Sequence, residues 1–148
     1  MKKLFLILLF GSSALFAREA EKYVSLTTYV PDFLPSMGVG VRVYPKEWWG
    51  IDVNSNIGKY PYGYFFNLEC KDLLFWKDYY AGAGIKLMQV NYKKNDYKEI
   101  LVSFSPVVCL GIDKPGYFQQ LNMMFANYTF DYGYTDKPVF TYQIGLKF

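Results

Sequence analysis

The stretch Val139-Phe140-Thr141-Tyr142-Gln143-Ile144-Gly145-Leu146-Lys147-Phe148 decides how the rest of the chain is read. Phe140, Tyr142, Ile144, Leu146 and Phe148 alternate with Thr141, Gln143, Gly145 and Lys147, the period of two of a strand with one apolar and one polar face. In water so greasy a strand invites edge-to-edge pairing. Against hydrocarbon it does not. The expectation is a strand whose apolar face meets lipid.

The same alternation recurs upstream. Met37, Val39, Val41 and Val43 oppose Gly38, Gly40, Arg42 and Tyr44; Trp49, Ile51, Val53, Ser55 and Ile57 oppose Gly50, Asp52, Asn54 and Asn56. Tyr64, Phe66, Leu68 and Cys70 oppose Phe65, Asn67, Glu69 and Lys71. Segments 79–91, 100–112 and 120–126 continue the pattern, and 23–30 reads as a further strand whose apolar face is ambiguous. Pro106 removes a ladder donor inside its run and predicts a bulge. Connections are expected at 31–36, 45–47, 58–61, 72–78, 92–98, 113–116 and 128–138. The segments approach the ~9–11 residues of a tilted membrane strand. Eight of them close a barrel just filled by its own side chains.

Charge decides which face looks inward. Arg42, Asp52, Glu69 and Lys86 all fall on the Gly- and Asn-rich face, and the opposite faces carry essentially no charge. A soluble, secreted lipocalin-like lipid-binding barrel would reverse this, with apolar residues inside. Buried charges must be paired, so these four residues are read as a salt-bridged plug. A turn centred near Lys46 would set Asp52 opposite Gly40 and diagonal to Arg42, leaving Glu69 to serve Lys86 or Arg42. The functional alternative is a narrow ion or solute pore lined by the same cluster. Trp48, Trp49, Trp76 and Tyr79 gather at the rim that carries the short turns and both ends of the chain. There they suit an aromatic girdle in the headgroup layer, against the plainer reading of lids on the core.

Composition narrows the class further. Met1-Lys2-Lys3, the apolar run from Leu4 to Phe10 and the small residues Gly11 to Ala14 read as an export signal, with cleavage expected after Ala17. That divides the chain into a signal peptide, 1–17, and a barrel domain, 18–148. Without the signal, 148 − 17 = 131 residues carry 16 − 2 = 14 basic and 13 acidic side chains. The resulting charge near +1 argues against nucleic acid as a partner. Aromatics make up 21% of the chain while mean hydropathy is +0.01, which suits a barrel whose lipid-facing and lumen-facing residues cancel in any window.

Catalytic parts are scarce. There is no histidine, no serine stands convincingly beside an alternative base, and the only cysteines are Cys70 and Cys109. Strand parity places Cys70 on the lipid face and Cys109 on the lumen face, so no bridge is expected between them. No metal or other cofactor is expected.

The closing FTYQIGLKF resembles the C-terminal signal that outer-membrane proteins present to the barrel-assembly machinery, with Phe148 as the terminal aromatic and Tyr142, Ile144 and Leu146 on its apolar face. Signal peptide, alternating strands and this ending together resemble the small outer-membrane barrels of the OmpA transmembrane-domain and OmpX type. The resemblance implies an all-β, eight-stranded antiparallel up-and-down transmembrane barrel in the bacterial outer membrane, with membrane lipid and the assembly machinery as partners. It implies a non-enzymatic role, with surface loops for adhesion or envelope stabilisation and a surface ligand left unspecified.

Overall fold

The structure is a computed structural model that describes residues 19–30, 33–94, 97–125, 127–129, 133–135 and 138–148. The expected signal peptide lies outside the described residues. The eight strands that close on themselves are β1 (Glu19–Val30), β2 (Pro35–Lys46), β3 (Trp49–Tyr60), β4 (Gly63–Trp76), β5 (Tyr79–Lys94), β6 (Tyr97–Lys114), β7 (Tyr117–Met124) and β10 (Val139–Lys147). Each pairs antiparallel with its neighbour in sequence, and β10 pairs with β1 to complete the barrel. Between β7 and β10, β8 (Asn127–Thr129) and β9 (Gly133–Thr135) form a small sheet of their own. Among the described residues there is no helix.

Following the ladder once around links Ala20, Val43, Ile51, Asp72, Ala83, Val108, Met123, Phe140 and then Val30, so the path returns to β1 displaced by 30 − 20 = 10 residues. A stagger of that size over eight strands tilts them by about 40° to the barrel axis. Every strand assigned a facing from sequence has it here. β1, which was ambiguous, turns Tyr23, Ser25, Thr27 and Tyr29 inward and Val24, Leu26 and Val30 outward.

The strands run longer than expected and the connections are correspondingly tighter. The turns are Glu47-Trp48, Pro61-Tyr62, Lys77-Asp78 and Pro115-Gly116. Residues 72–76, expected in a turn, continue β4, because Leu73 and Phe75 keep the inward parity of Phe65 and Glu69. The expected loop at 92–98 is largely ladder, and Lys93 stands opposite Lys98 where β5 and β6 run on together. Residues 58–60 likewise extend β3, and Asp113 and Lys114 extend β6. Pro45, also expected in a turn, lies in β2 within the register shift between Val43 and Lys46, a place where a missing donor is tolerated. No bulge forms between β5 and β6 at Pro106; Ile85 pairs with it in unbroken register. Its carbonyl accepts from Phe125 N just past the last β6–β7 pair, so its backbone polar edge faces the end of β7, where a lost donor matters least. In the Pro115-Gly116 turn, Gly116 has φ +83°, the value a type II turn needs after proline.

The lumen is the core. Tyr29, Tyr60, Phe65, Met88, Val90, Val107 and Met124 are buried together toward the rim that carries residues 33–34 and the Pro61-Tyr62 turn, here the loop rim. Glycines make room for the rings: Gly40, Gly58, Gly111 and Gly145 stand directly across the ladder from Tyr23, Phe65, Tyr80 and Phe118. A Cβ on any of the four would sit within 2.3 Å of a ring atom. Inward glycine and inward ring thus form one cross-strand unit.

Candidate functional site

Below the apolar plug, from mid-barrel to the turn rim, buried polar side chains share the lumen with a smaller apolar cluster of Leu73, Tyr80 and Cys109, against which Phe75 packs. Parity alone aims Arg42, Asp52, Glu69, Lys71 and Lys86 inward from β2, β3, β4 and β5, and all five are buried. Register then sets their pairing. Arg42 is directly opposite Asp52, and Glu69 directly opposite Lys86. This corrects the diagonal placement of Asp52: the turn is centred between Glu47 and Trp48 rather than at Lys46, and the register shift at Pro45 takes one position back. It also leaves Glu69 with Lys86 and Lys71, not Arg42.

The ions form one alternating chain. Lys86 Nζ lies 2.9 Å from Glu69 Oε1, and Glu69 Oε2 lies 2.8 Å from Lys71 Nζ. Lys71 Nζ is 3.4 Å from Asp52 Oδ2, and Asp52 Oδ1 is 3.6 Å from Arg42 Nε. Arg42 Nη1 is 3.3 Å from Asp113 Oδ1, whose other neighbour, Lys147 Nζ, is 2.9 Å away. Lys147 Nζ then reaches Glu21 Oε2 at 2.9 Å. Four cations and four carboxylates alternate without a like-charged neighbour, so the chain is neutral as a whole. It descends from mid-barrel to the turn rim and crosses the seam between β10 and β1.

Neighbouring side chains complete it. Tyr23 donates to Asp52 Oδ1 at 2.8 Å, and Lys86 donates to the Tyr29 hydroxyl at 2.7 Å, which also accepts from Asn67 at 2.6 Å. The Arg42 guanidinium lies over the rings of Phe118 and Tyr80, 4.3 and 4.8 Å from their centroids, and Nη2 donates to the Tyr80 hydroxyl at 3.3 Å. Its Nε and Nη1 make their ionic contacts without an aligned hydrogen bond, so attraction there is coulombic and cation–π in character. The Tyr44 hydroxyl donates to Glu21 Oε2 at 2.6 Å and lies 3.0 Å from Asp113 Oδ2, tying the turn-rim carboxylates together. On the β7–β10 side the lumen is neutral instead: Gln120 donates to Gln143 and Asn122 to Thr141.

All four residues read from sequence as the charge cluster are therefore brought together, but through partners that were not. Lys71 carried the same inward parity as Glu69 and was legible in principle, as was Lys147 in the closing strand. Asp113 had been given to a turn and Glu21 to a lead-in, so neither had a parity to read.

The outer wall is the complement of the lumen. Val39, Leu68, Ile85, Phe104, Leu110, Leu121, Ile144 and their neighbours are exposed there. From the ~3.3 Å rise per residue and the ~40° tilt, Trp49, Trp76, Tyr79, Tyr117 and Phe148 fall within roughly 5 Å of one level. Lys59 and Gln89 end the apolar belt roughly 25 Å above it, the height of the apolar band on outer-membrane barrels. Trp48 stands in the turn just below, beneath the Lys46 ammonium. Asp72 and Lys22 break the expected neutrality of the wall: Lys22 points outward from β1, and Asp72 points outward from β4, where Trp49 Nε1 donates to its Oδ1 at 3.1 Å. Tyr142, Ile144, Leu146 and Phe148 are all exposed on the outer face of β10. Cys70 is partly exposed on the wall, Cys109 is buried in the lumen, and both are free.

An antiparallel barrel with ions sealed inside and an apolar belt outside is a membrane-spanning barrel turned inside out relative to a water-borne one. The solved structures it resembles are of that class. It superposes on the N-terminal β-barrel domain of Pseudomonas aeruginosa OprF with a TM-score of 0.63 at 11% identity, over 87% of this chain and 96% of that one. Neisserial surface protein A, NspA, gives 0.56 at 9% identity over 87% and 96%. Ail, the attachment invasion locus protein of Yersinia pestis, gives 0.51 at 11% identity over 87% and 95%, and is also known in complex with the heparin analogue sucrose octasulfate. No protein-family description matches the chain, and no curated protein matches its sequence. What is shared with these barrels is the fold.

Proposed function

We propose that the protein is a non-enzymatic integral barrel of the bacterial outer membrane whose surface rim serves adhesion or envelope stabilisation. The observation that carries this reading is the filling of the lumen by the described side chains, an apolar plug above and alternating ions with a smaller apolar cluster below. Among the described residues, side chains leave no open channel through so narrow a barrel, and a polar hollow of about 430 Å³ opens at the turn rim beside Glu21, Tyr44, Asp113 and Lys147. What remains available to other molecules is the wall and the two rims. The short turns belong in the periplasm and the loop rim outside, as in bacterial barrels generally. Trp48, Trp49, Trp76 and Tyr79 then serve as the periplasmic girdle, and the outer face of β10, with Tyr142, Ile144, Leu146 and Phe148, as the strand offered to the assembly machinery.

Among the described residues, the end of the β5–β6 hairpin and the β8–β9 sheet lie beyond the barrel ladders at the loop rim. The β4–β5 ladder ends at Gly63–Tyr92 and the β6–β7 ladder at Val107–Met124, whereas β5 and β6 continue pairing to Lys94–Tyr97. Segment 92–98 of this hairpin and the loop 128–138, parts of which lie outside the described residues, form the proposed contact surface. Fractionation followed by heat-modifiable gel mobility tests placement: the protein is expected with the outer membrane, migrating differently before and after boiling. Protease added to intact cells is expected to cut near residues 95–96. Recovery in the periplasmic fraction without detergent would refute the membrane placement. Steady conductance in planar bilayers that is lost on Arg42→Ala would favour a pore instead.

A further inference from the structure

The wall between β10 and β3 is not smooth. A groove of about 690 Å³ runs across the β10–β1 seam, with Leu26, Met37, Val39, Ile57, Phe66 and Leu146 along its sides. Ser55 faces out from β3 between Val53 and Ile57 and lines the groove, a short side chain in a row of branched ones. A second hollow of about 300 Å³ shares Val39 and Ser55 with it and extends the groove toward the turn rim, where it meets Lys22. Together they are the size of an ordinary ligand site, ~300–1,000 Å³, but nearly all apolar.

Lys22 is the unusual member. By the parity of β1 it points outward, level with Val41 and just above the Trp49–Phe148 level, and it is exposed. Among the described residues no carboxylate pairs with it. The hollow around it is lined mainly by Val39, Val41, Val53, Leu68 and Phe148, with Tyr23, Asn54 and Ser55 beside them. An unpaired ammonium against apolar side chains at a headgroup boundary calls for an anion there, and the anion a bilayer supplies at that depth is a lipid phosphate.

We propose that this groove holds one anionic phospholipid of the turn-side leaflet, its phosphate on Lys22 and an acyl chain laid over Ser55 toward Met37 and Ile57. The site requires only that the wall face hydrocarbon and is independent of any role for the loops. Ser55 leaves room for the chain, Lys22 selects charge, and the lipid spans the seam where the first and last strands meet.

The test is native mass spectrometry of the protein released from vesicles of equal phosphatidylglycerol and phosphatidylcholine. The protein is expected to retain one phosphatidylglycerol at least ten times more often than phosphatidylcholine. Lys22→Gln is expected to reduce that preference to about unity while Lys22→Arg keeps it, and Ser55→Phe to abolish retention of both lipids. Ala83→Phe, on the wall outside the groove, is expected to change nothing. Heat-modifiable mobility certifies each variant as folded. Equal preference in the parent and Lys22→Gln overturns the proposal. So does a Ser55→Cys variant that cross-links to a second copy, which would make the groove a protein interface.

Discussion

From mid-barrel to the loop rim the lumen is closed by Tyr29, Tyr60, Phe65, Met88 and their apolar neighbours, whereas from mid-barrel to the turn rim it is threaded by eight ions. The apolar half gains from burial itself and tolerates local error in proportion to the volume changed. The ionic half has no such margin. Desolvating a charge costs several kcal/mol, roughly offset only while each partner stays in place. The same strands build both halves, and the difference lies in what the inward positions carry. Sealing by ions gives register as well as closure, because a slip of one residue would turn the chain out into lipid.

Removing one ion from the middle of the chain is expected to have the largest effect. Glu69→Ala leaves Lys71 and Lys86 facing each other without their shared carboxylate, and is expected to lower unfolding stability by about 3–5 kcal/mol. Denaturant titration of the barrel in vesicles measures it. The wall comes next. Leu68→Arg, on the outer face beside the ionic half, is expected to cost about 2–4 kcal/mol in the same assay. In the plug, Gly58→Leu drives a side chain into the Phe65 ring and is expected to cost about 1–3 kcal/mol, since a ring can yield where an unpaired charge cannot. The exposed pair of Lys114 and Asp78 at the turn rim lies outside both halves. Lys114→Gln is expected to leave the unfolding midpoint unchanged. A larger loss from Gly58→Leu than from Glu69→Ala would reverse the ranking of the two halves.

Much of this was legible in the chain, unevenly. A period of two says which residues share a face, and charge says which face is hidden, so the barrel and the inward set Arg42, Asp52, Glu69 and Lys86 follow from the alternation. Pairing does not, because it depends on where each turn is centred. A displacement of the second turn by little more than one residue moved Asp52 from diagonal to directly opposite Arg42. Strand ends were hidden for a different reason: aromatic density at 72–76 and charge at 92–98 look like loops, although the alternation runs straight through them. The buried rings were the least legible part. Tyr23 and Tyr29 sit in the one strand with both faces partly apolar, and Phe118 lay in a stretch assigned to no strand. The glycine facing each ring is visible only once the register is known.

The two native cysteines stand on opposite faces of the wall and provide the most direct measurement. With Cys109→Ser, a spin label on Cys70 in bilayers is expected to collide freely with dissolved oxygen and to be shielded from an aqueous nickel chelate, because Cys70 sits midway up the apolar belt between Val53 and Ile85. A label at Lys59→Cys, at the edge of the belt, is expected to show the opposite balance. Access of the nickel chelate to Cys70 equal to its access at position 59 would mean that water, not hydrocarbon, meets the outer wall, and would contradict the inverted barrel.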